Sequence, residues 1–221
     1  YEEVTAPGKN DIMLHSHNNL DDLPDTLDLV IVATNSSVRE KVIRDITNKC
    51  HVKNLILEKV LFQKAGQYTD VDSFLKNSSI PTWVNCWMRT TNLYKKIKSL
   101  LNHEEEIQMK VEGPQWGMGC NSIHFMDLFS YLTNTGSFKF TENKLKSKVL
   151  AAKRAGYSEF FGCIAGQNSK GDTLELICYE TGEESTTVKI RNGSNSYQIT
   201  GLLGDVVLKT SSENENSTED T

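Results

Sequence analysis

The chain has no basic excess: 24 Lys and Arg stand against 29 Asp and Glu over 221 residues, a formal net charge of -5. A surface built to hold nucleic-acid phosphates shows as a positive surplus, so nucleic acid is not the expected partner. Long apolar runs are missing as well. Nothing approaches the roughly 20 residues that cross a bilayer, and no signal-peptide pattern opens the chain, so no membrane partner and a cytoplasmic setting are expected. The 5 cysteines (Cys50, Cys86, Cys120, Cys163, Cys178) are odd in number and have no paired spacing, which reads as reduced thiols without a metal site. No internal repeat is present. A Gly-x-Gly-x-x-Gly turn occurs nowhere, which removes the usual backbone cradle for a pyrophosphate.

What is present is ordinary globular composition, 38% apolar and 24% charged, in a chain long enough for one large or two small cored domains. The organising stretch runs from Asp28 to Leu61. Leu29-Val30-Ile31-Val32 is a continuous apolar run, the texture of a parallel strand covered on both faces. Thr34-Asn35-Ser36-Ser37 supplies turn chemistry, and Ser37 with Glu40 fits a capping box. A helix follows with apolar positions Val38, Val42, Ile43 and Ile46, stopping near Cys50; Leu55-Ile56-Leu57 is then a second buried strand. In such βαβ units ligands bind beyond the carboxyl ends of the strands, so Thr34-Asn35-Ser36 and Glu58-Lys59 are expected to face one crevice.

Elsewhere Ile12-Met13-Leu14 reads as a short strand and Asn18 to Thr26 as a polar connection. Tyr68, Val71, Phe74 and Leu75 fit a short helix, Ile80 to Cys86 a strand, and Leu93, Ile97, Leu100 and Leu101 a helix with Lys95, Lys96 and Lys98 on its wet side. Past His103 the period changes to two. Ile107 to Val111, Ser137 to Phe140, Ser158 to Ile164, Thr173 to Tyr179, Thr186 to Ile190, Tyr197 to Thr200 and Val206 to Leu208 read as strands, with turns at Ser169-Lys170-Gly171-Asp172 and Asn192-Gly193. Ile123 to Leu132 is the strong helix of this half, and it places His124, Asp127 and Tyr131 on one face. The tail from Ser211 is polar and acidic. The expected fold class is α/β plus α+β: a partial Rossmann-type parallel sheet over 1–103, a domain with an open, mainly antiparallel sheet over 104–210, and a tail over 211–221.

An aspartate, a strand ending in Ala-Thr, a polar turn, a helix and a strand ending in Glu58-Lys59 resemble the Gfo/Idh/MocA family of NAD(P)-dependent oxidoreductases. The downstream Ser122-Ile123-His124-Phe125-Met126-Asp127 is similar to that family's substrate-domain helix. The resemblance implies hydride transfer, with NAD or NADP as cofactor, to or from a secondary alcohol of a sugar, cyclitol or nucleotide-linked sugar. It implies that Lys59 lies beside the nicotinamide and stabilises charge developing on the substrate oxygen, that His124 is the base, and that Asp127 orients the imidazole or touches substrate. Ala33, Thr34, Asn35 and Ser36 would line the dinucleotide, Glu58 would lie near the nicotinamide ribose, and Arg89 would approach nicotinamide or substrate. Trp116, Asn121, Arg154 and Tyr157 are candidate substrate contacts; Lys153-Arg154 reads equally well as a solvated basic pair.

Two positions depart from the family pattern. Val60 stands where a proline is usual, and Cys120 stands where many members carry an aspartate four residues before the histidine. Either Asn121 and Asp127 take over that carboxylate's work or hydride chemistry is weakened, and the rival reading is a non-catalytic dinucleotide- or sugar-binding sensor or scaffold. The missing glycine turn is expected to mean a chain without the family's first βαβ element, and the family also continues past residue 221. Sheet pairing between subunits would make a homodimer or homotetramer.

Overall fold

The computed structural model describes Met13 and residues 15–152, 156–201 and 206–210. It divides into two compact units, Tyr1–Asn85 and Cys86–Thr221. The division falls earlier than the boundary expected after residue 103. The helix between those points gives its apolar residues to the second unit: Tyr94, Ile97 and then Leu101 are buried in that unit's core.

In the first unit, strands β1 (Thr26–Leu27), β2 (Val30–Val32), β3 (His51–Val52), β4 (Leu55–Leu57) and β5 (Thr82–Val84) are joined by helices α1 (Arg39–Lys49) and α2 (Ala65–Asn77), with a 3-10 turn at Leu20–Asp22. β2, β4 and β5 form a parallel sheet in the order β2-β4-β5, in register at Val32, Leu57 and Val84. β1 pairs with β3 beside it, a strand begun inside the stretch expected to be a polar connection. Of Ile12-Met13-Leu14 only Met13 is described, and it is in no strand.

The expectation that the first apolar run is covered on both faces is corrected. Side chains alternate along a strand, and Val30, Val32, Leu55 and Leu57 turn to one face to meet Ile43 and Ile46 of α1 and Val71 and Leu75 of α2. Ile31, Ile56 and Trp83 are opposite one another in the register and share the other face, where Ile31 is 63% and Trp83 54% exposed. The expected capping box is also absent. Ser37 donates its hydroxyl and its N–H to the Asn35 side chain, α1 starts at Arg39 behind an uncapping Val38, and the Glu40 carboxylate instead takes Arg44 and Gln67.

The second unit holds α3 (Asn92–Leu100), β6 (Ile107–Pro114), α4 (Met118–Thr133), β7 (Lys139–Leu145), β8 (Leu150–Ala151), β9 (Ser158–Glu159), β10 (Gly162–Gln167), β11 (Thr173–Tyr179), β12 (Thr187–Asn192), β13 (Asn195–Thr200) and β14 (Val206–Thr210), preceded by a 3-10 turn at Trp87–Thr90. Seven of these strands form one sheet, ordered β14-β13-β12-β6-β11-β10-β7. It is antiparallel except where β6 lies parallel to β11, which fits the mainly antiparallel expectation. One face packs Met109, Val111, Leu174, Leu176, Val188 and Ile190 against Phe125, Leu128, Phe129 and Leu132 of α4. The other carries charges in alternation with those residues, including Lys110–Glu112 at 2.9 Å and Lys189–Glu112 at 2.8 Å. These bonds, Lys189 foremost, hold the Glu112 carboxyl below its usual range. Tyr94 is fully buried, and desolvation pushes its phenol up to about 12.

Two expectations change in detail. The helix expected from Ile123 begins at Met118, so half of the Trp116-Gly117-Met118-Gly119 loop is helical. The strand expected over 158–164 is two, broken at Phe160-Phe161. Arg154 and the tail lie outside the described residues.

Candidate functional site

The first cluster is made by the carboxyl edge of the parallel sheet. The ladder ends with the Glu58 N–H donating to the Val32 carbonyl at 3.1 Å and the Asn85 N–H donating to the Leu57 carbonyl at 2.8 Å. Ala33, Glu58 and Asn85, each the first residue past its strand, therefore stand side by side. The Asn85 amide donates to Glu58 Oε2 at 3.0 Å, leaving a carboxylate and an amide fixed together at that edge. Ala33 and Asn35 are exposed, and Thr34, Ser36, Glu58 and Lys59 are half-buried. Asn35 accepts the Ser37 N–H at 3.2 Å, so its side-chain oxygen serves the turn. The Lys59–Val60 peptide is cis.

Two residues of this cluster were not singled out from the sequence. Asn85 had a findable signal, since it follows the third strand as Ala33 and Glu58 follow the other two. Arg39 had none, because an arginine in a helix's first turn reads as a solvated charge. It is 1% exposed, and its guanidinium donates to the backbone carbonyls of Thr34, Val60 and Leu61.

The second cluster lies on α4 and the turn before α3. His124 is buried at 5% exposure, with the Trp87 ring edge-on at 6.0 Å. The expected His124, Asp127, Tyr131 row exists, but each member meets a cation or ring from the preceding segment. Arg89 grips Asp127 bidentately, with Nε 2.6 Å from Oδ2 and a second nitrogen on Oδ1, and also reaches the Asp127 carbonyl at 3.2 Å. Planar guanidinium against carboxylate is the strongest form of ion pair. Arg89 also lies 5.6 Å from the Tyr131 ring centre, and Lys98 Nζ sits 3.9 Å above the same ring. Burial, then the Arg89 charge, lowers the Lys98 pKa.

At the N-terminal end of α4, Asn121 donates to the Trp116 carbonyl at 2.7 Å and the Trp116 indole N–H donates to the Ile177 carbonyl at 2.8 Å. Glu159, also not foreseen, accepts the Gly119 N–H at 3.0 Å. Cys120 is exposed, and Tyr157 is half-buried.

Among the described residues, Glu142, Cys163 and Glu175 bring ligand atoms within 4.8 Å of one another. Lys144 pairs with Glu142, and Lys110 lies 3.6 Å from Glu175. Burial, then the two carboxylates, pushes the Cys163 thiol up.

Compared with known proteins, the sequence matches no family model and no curated relative. Solved structures do match. A Gal80p super-repressor mutant from Saccharomyces cerevisiae superposes with a TM-score of 0.67 at 12% identity, over 90% of this chain and 62% of the other. The UDP-N-acetylglucosamine 3-dehydrogenase GnnA from Acidithiobacillus ferrooxidans gives 0.64 at 11%, over 88% and 64%. An NAD binding oxidoreductase from Klebsiella pneumoniae gives 0.64 at 11%, over 90% and 61%. The chain shares the fold of these structures, a Rossmann-like parallel sheet with helices followed by a mainly antiparallel sheet. It spans somewhat under two thirds of the length of each of these structures. No helix among its described residues is long and apolar enough to cross a membrane.

Proposed function

We propose that the protein is a Gfo/Idh/MocA-type oxidoreductase that moves a hydride between nicotinamide and a secondary alcohol of a sugar, cyclitol or nucleotide-linked sugar. The observation that carries this reading is the alignment of Ala33, Glu58 and Asn85 at the carboxyl edge of a parallel sheet, in a fold shared with dehydrogenases. That edge is where open α/β sheets take their ligands. The residues fit the nicotinamide-ribose half of NAD or NADP. The Glu58 carboxylate can accept from ribose hydroxyls while Asn85 holds it in place, and Ala33, Thr34, Asn35 and Ser36 supply the neighbouring wall.

When bound, the dinucleotide supplies the hydride acceptor or donor. In the oxidation direction the carbon loses hydride, the hydroxyl loses its proton, and a carbonyl forms. Lys59 stabilises the oxygen as negative charge develops on it, and His124 accepts the proton. Asp127, gripped by Arg89, is a fixed carboxylate one turn from His124, where it steadies the imidazole or meets a substrate hydroxyl. Trp116, Asn121 and Tyr157 are the proposed substrate contacts among the described residues. The charged open face of the seven-stranded sheet pairs subunits in a homodimer or homotetramer of a cytoplasmic enzyme.

The test is a fluorescence titration of the full-length protein with NADH and NADPH. Saturable binding of one of them is expected, and Glu58→Ala should raise its Kd about tenfold through loss of a charge-assisted hydrogen bond. Binding of neither dinucleotide overturns the reading. A sensor or scaffold is the second reading, favoured by the exposed Cys120 where family members carry a carboxylate and by the shared fold of Gal80p. It is distinguished by dinucleotide binding without turnover of any sugar or nucleotide sugar.

A further inference from the structure

We propose that Arg39 is the positioning residue of the strand-edge crevice, locking the loop after β2 to the loop that carries Lys59. The inference rests on the dinucleotide reading of that crevice. Its ground is the place where sheet hydrogen bonding stops. The ladder between β2 and β4 holds the chain only as far as Glu58, whose N–H reaches Val32. Beyond that point the two loops have separate courses, one through Thr34 and Asn35 and the other through Lys59, Val60 and Leu61. The Arg39 side chain enters between them and takes the next carbonyls on both sides: one nitrogen donates to Thr34, the other to Val60 and to Leu61, the last at 2.9 Å.

Guanidinium chemistry suits this task and ammonium chemistry does not. Five N–H donors lie in one rigid plane, so the positions of carbonyls on its two edges are mutually determined. An ammonium group is a point with freely rotating donors. The consequence reaches the crevice through covalent geometry. A planar trans peptide points its carbonyl and the following N–H in opposite directions, so turning the Thr34 carbonyl toward Arg39 turns the Asn35 N–H away from it. On the other loop the fixed Val60 carbonyl lies one residue past Lys59 and limits where the Lys59 backbone can go. Burying a guanidinium to 1% exposure costs desolvation that an apolar side chain would avoid. What the cation contributes is a defined spacing between two loops, which apolar packing specifies poorly.

The experiment uses the full-length protein with Arg39→Lys and Arg39→Met. Arg39→Lys retains the charge and a long stem and keeps the test available if Arg39→Met does not fold. Amide hydrogen exchange is followed by mass spectrometry in peptides covering 33–38 and 58–63, with peptides covering 53–57 and 71–76 as internal reference. Exchange in the two loops is expected to accelerate about tenfold or more in Arg39→Lys, with the reference peptides within about threefold of wild type. Loops and reference accelerating together would reduce Arg39 to a general stabiliser, and unchanged loops would remove the clamp; either overturns the inference. In parallel, the Kd of the bound dinucleotide is expected to rise about tenfold in Arg39→Lys. Wild-type binding with an unchanged Kd in Arg39→Lys also overturns it. No binding by wild type defeats the dinucleotide reading instead, and the exchange result then decides alone whether Arg39 positions the loops.

Discussion

Lys59→Ala is expected to lower turnover of the full-length protein about 100- to 1,000-fold while changing dinucleotide affinity by less than about threefold, the size of effect seen when one preorganised donor to a developing oxyanion is removed. Lys59 follows directly on the last residue that the β2–β4 ladder fixes, and its own loop is held one residue further on by Arg39. In the proposed role, an ammonium carried on a backbone so held would need little reorganisation when charge appears on the substrate oxygen. Its contribution therefore belongs to the transition state rather than to ground-state binding, and the loss should appear in kcat and kcat/KM alike. Steady-state kinetics at saturating dinucleotide, paired with the fluorescence titration, separates the two quantities. Turnover within threefold of wild type would remove Lys59 from the chemistry. A kcat that stays constant while KM rises would make it a binding residue.

Gly162→Ala is expected to be the most damaging single methyl in the second unit, costing about 3 kcal/mol or more. Two independent terms combine. The residue has φ +119, a region that side chains rarely adopt, and an added Cβ would meet the Lys144 carbonyl and come within 2.9 Å of the Leu145 Cα. The neighbour is backbone of the paired strand, so no rotamer change relieves the overlap. Gly162 pairs with Leu145 on one side and Cys178 on the other, so displacement opens the β7–β10–β11 ladders from their shared end. Gly136→Ala in the same unit is the control, since nothing lies within 4 Å of its Cβ position, and it should be neutral within about 0.5 kcal/mol. Urea unfolding followed by far-ultraviolet circular dichroism measures both. Equal midpoints for the two variants would show that the sheet yields at Gly162.

Much of the fold was legible because hydrophobic periodicity is a local property. The continuous run at Val30 to Val32 and its counterpart at Leu55 to Leu57 marked parallel strands, and the alternation from Ile107 onward marked the sheet of the second unit. The errors arose where a local signal had two outlets. Ser37 was a sound cap by spacing, yet its hydroxyl went to Asn35 two residues back, which is nearer than the helix amides it was expected to meet. Leu93, Ile97, Leu100 and Leu101 displayed an apolar stripe without saying which core would take it; Ile97 and Leu101, with Tyr94, entered the core of the second unit while Leu100 stayed exposed, and the division falls after Asn85 for that reason.

The candidate site divides in the same way. Glu58, Lys59, His124 and Asp127 could be named from spacing and resemblance, because strand ends and helix faces follow from periods of two and 3.6. Their partners could not. Arg89 and Asp127 are 38 positions apart in the chain, as Asn85 and Glu58 are 27 apart, and no local pattern links such pairs. By itself the sequence determined the order of the main elements, the two sheet types and the ends of the first two parallel strands, since each depends on neighbours within a few positions. Tertiary structure alone decided that Arg39 is buried between two loops, that Asp127 belongs to Arg89, and that one face of the parallel sheet leaves Ile31 and Trp83 in water. Each of those outcomes depends on which distant backbone or side chain arrives beside the residue, and that is settled only when the chain packs.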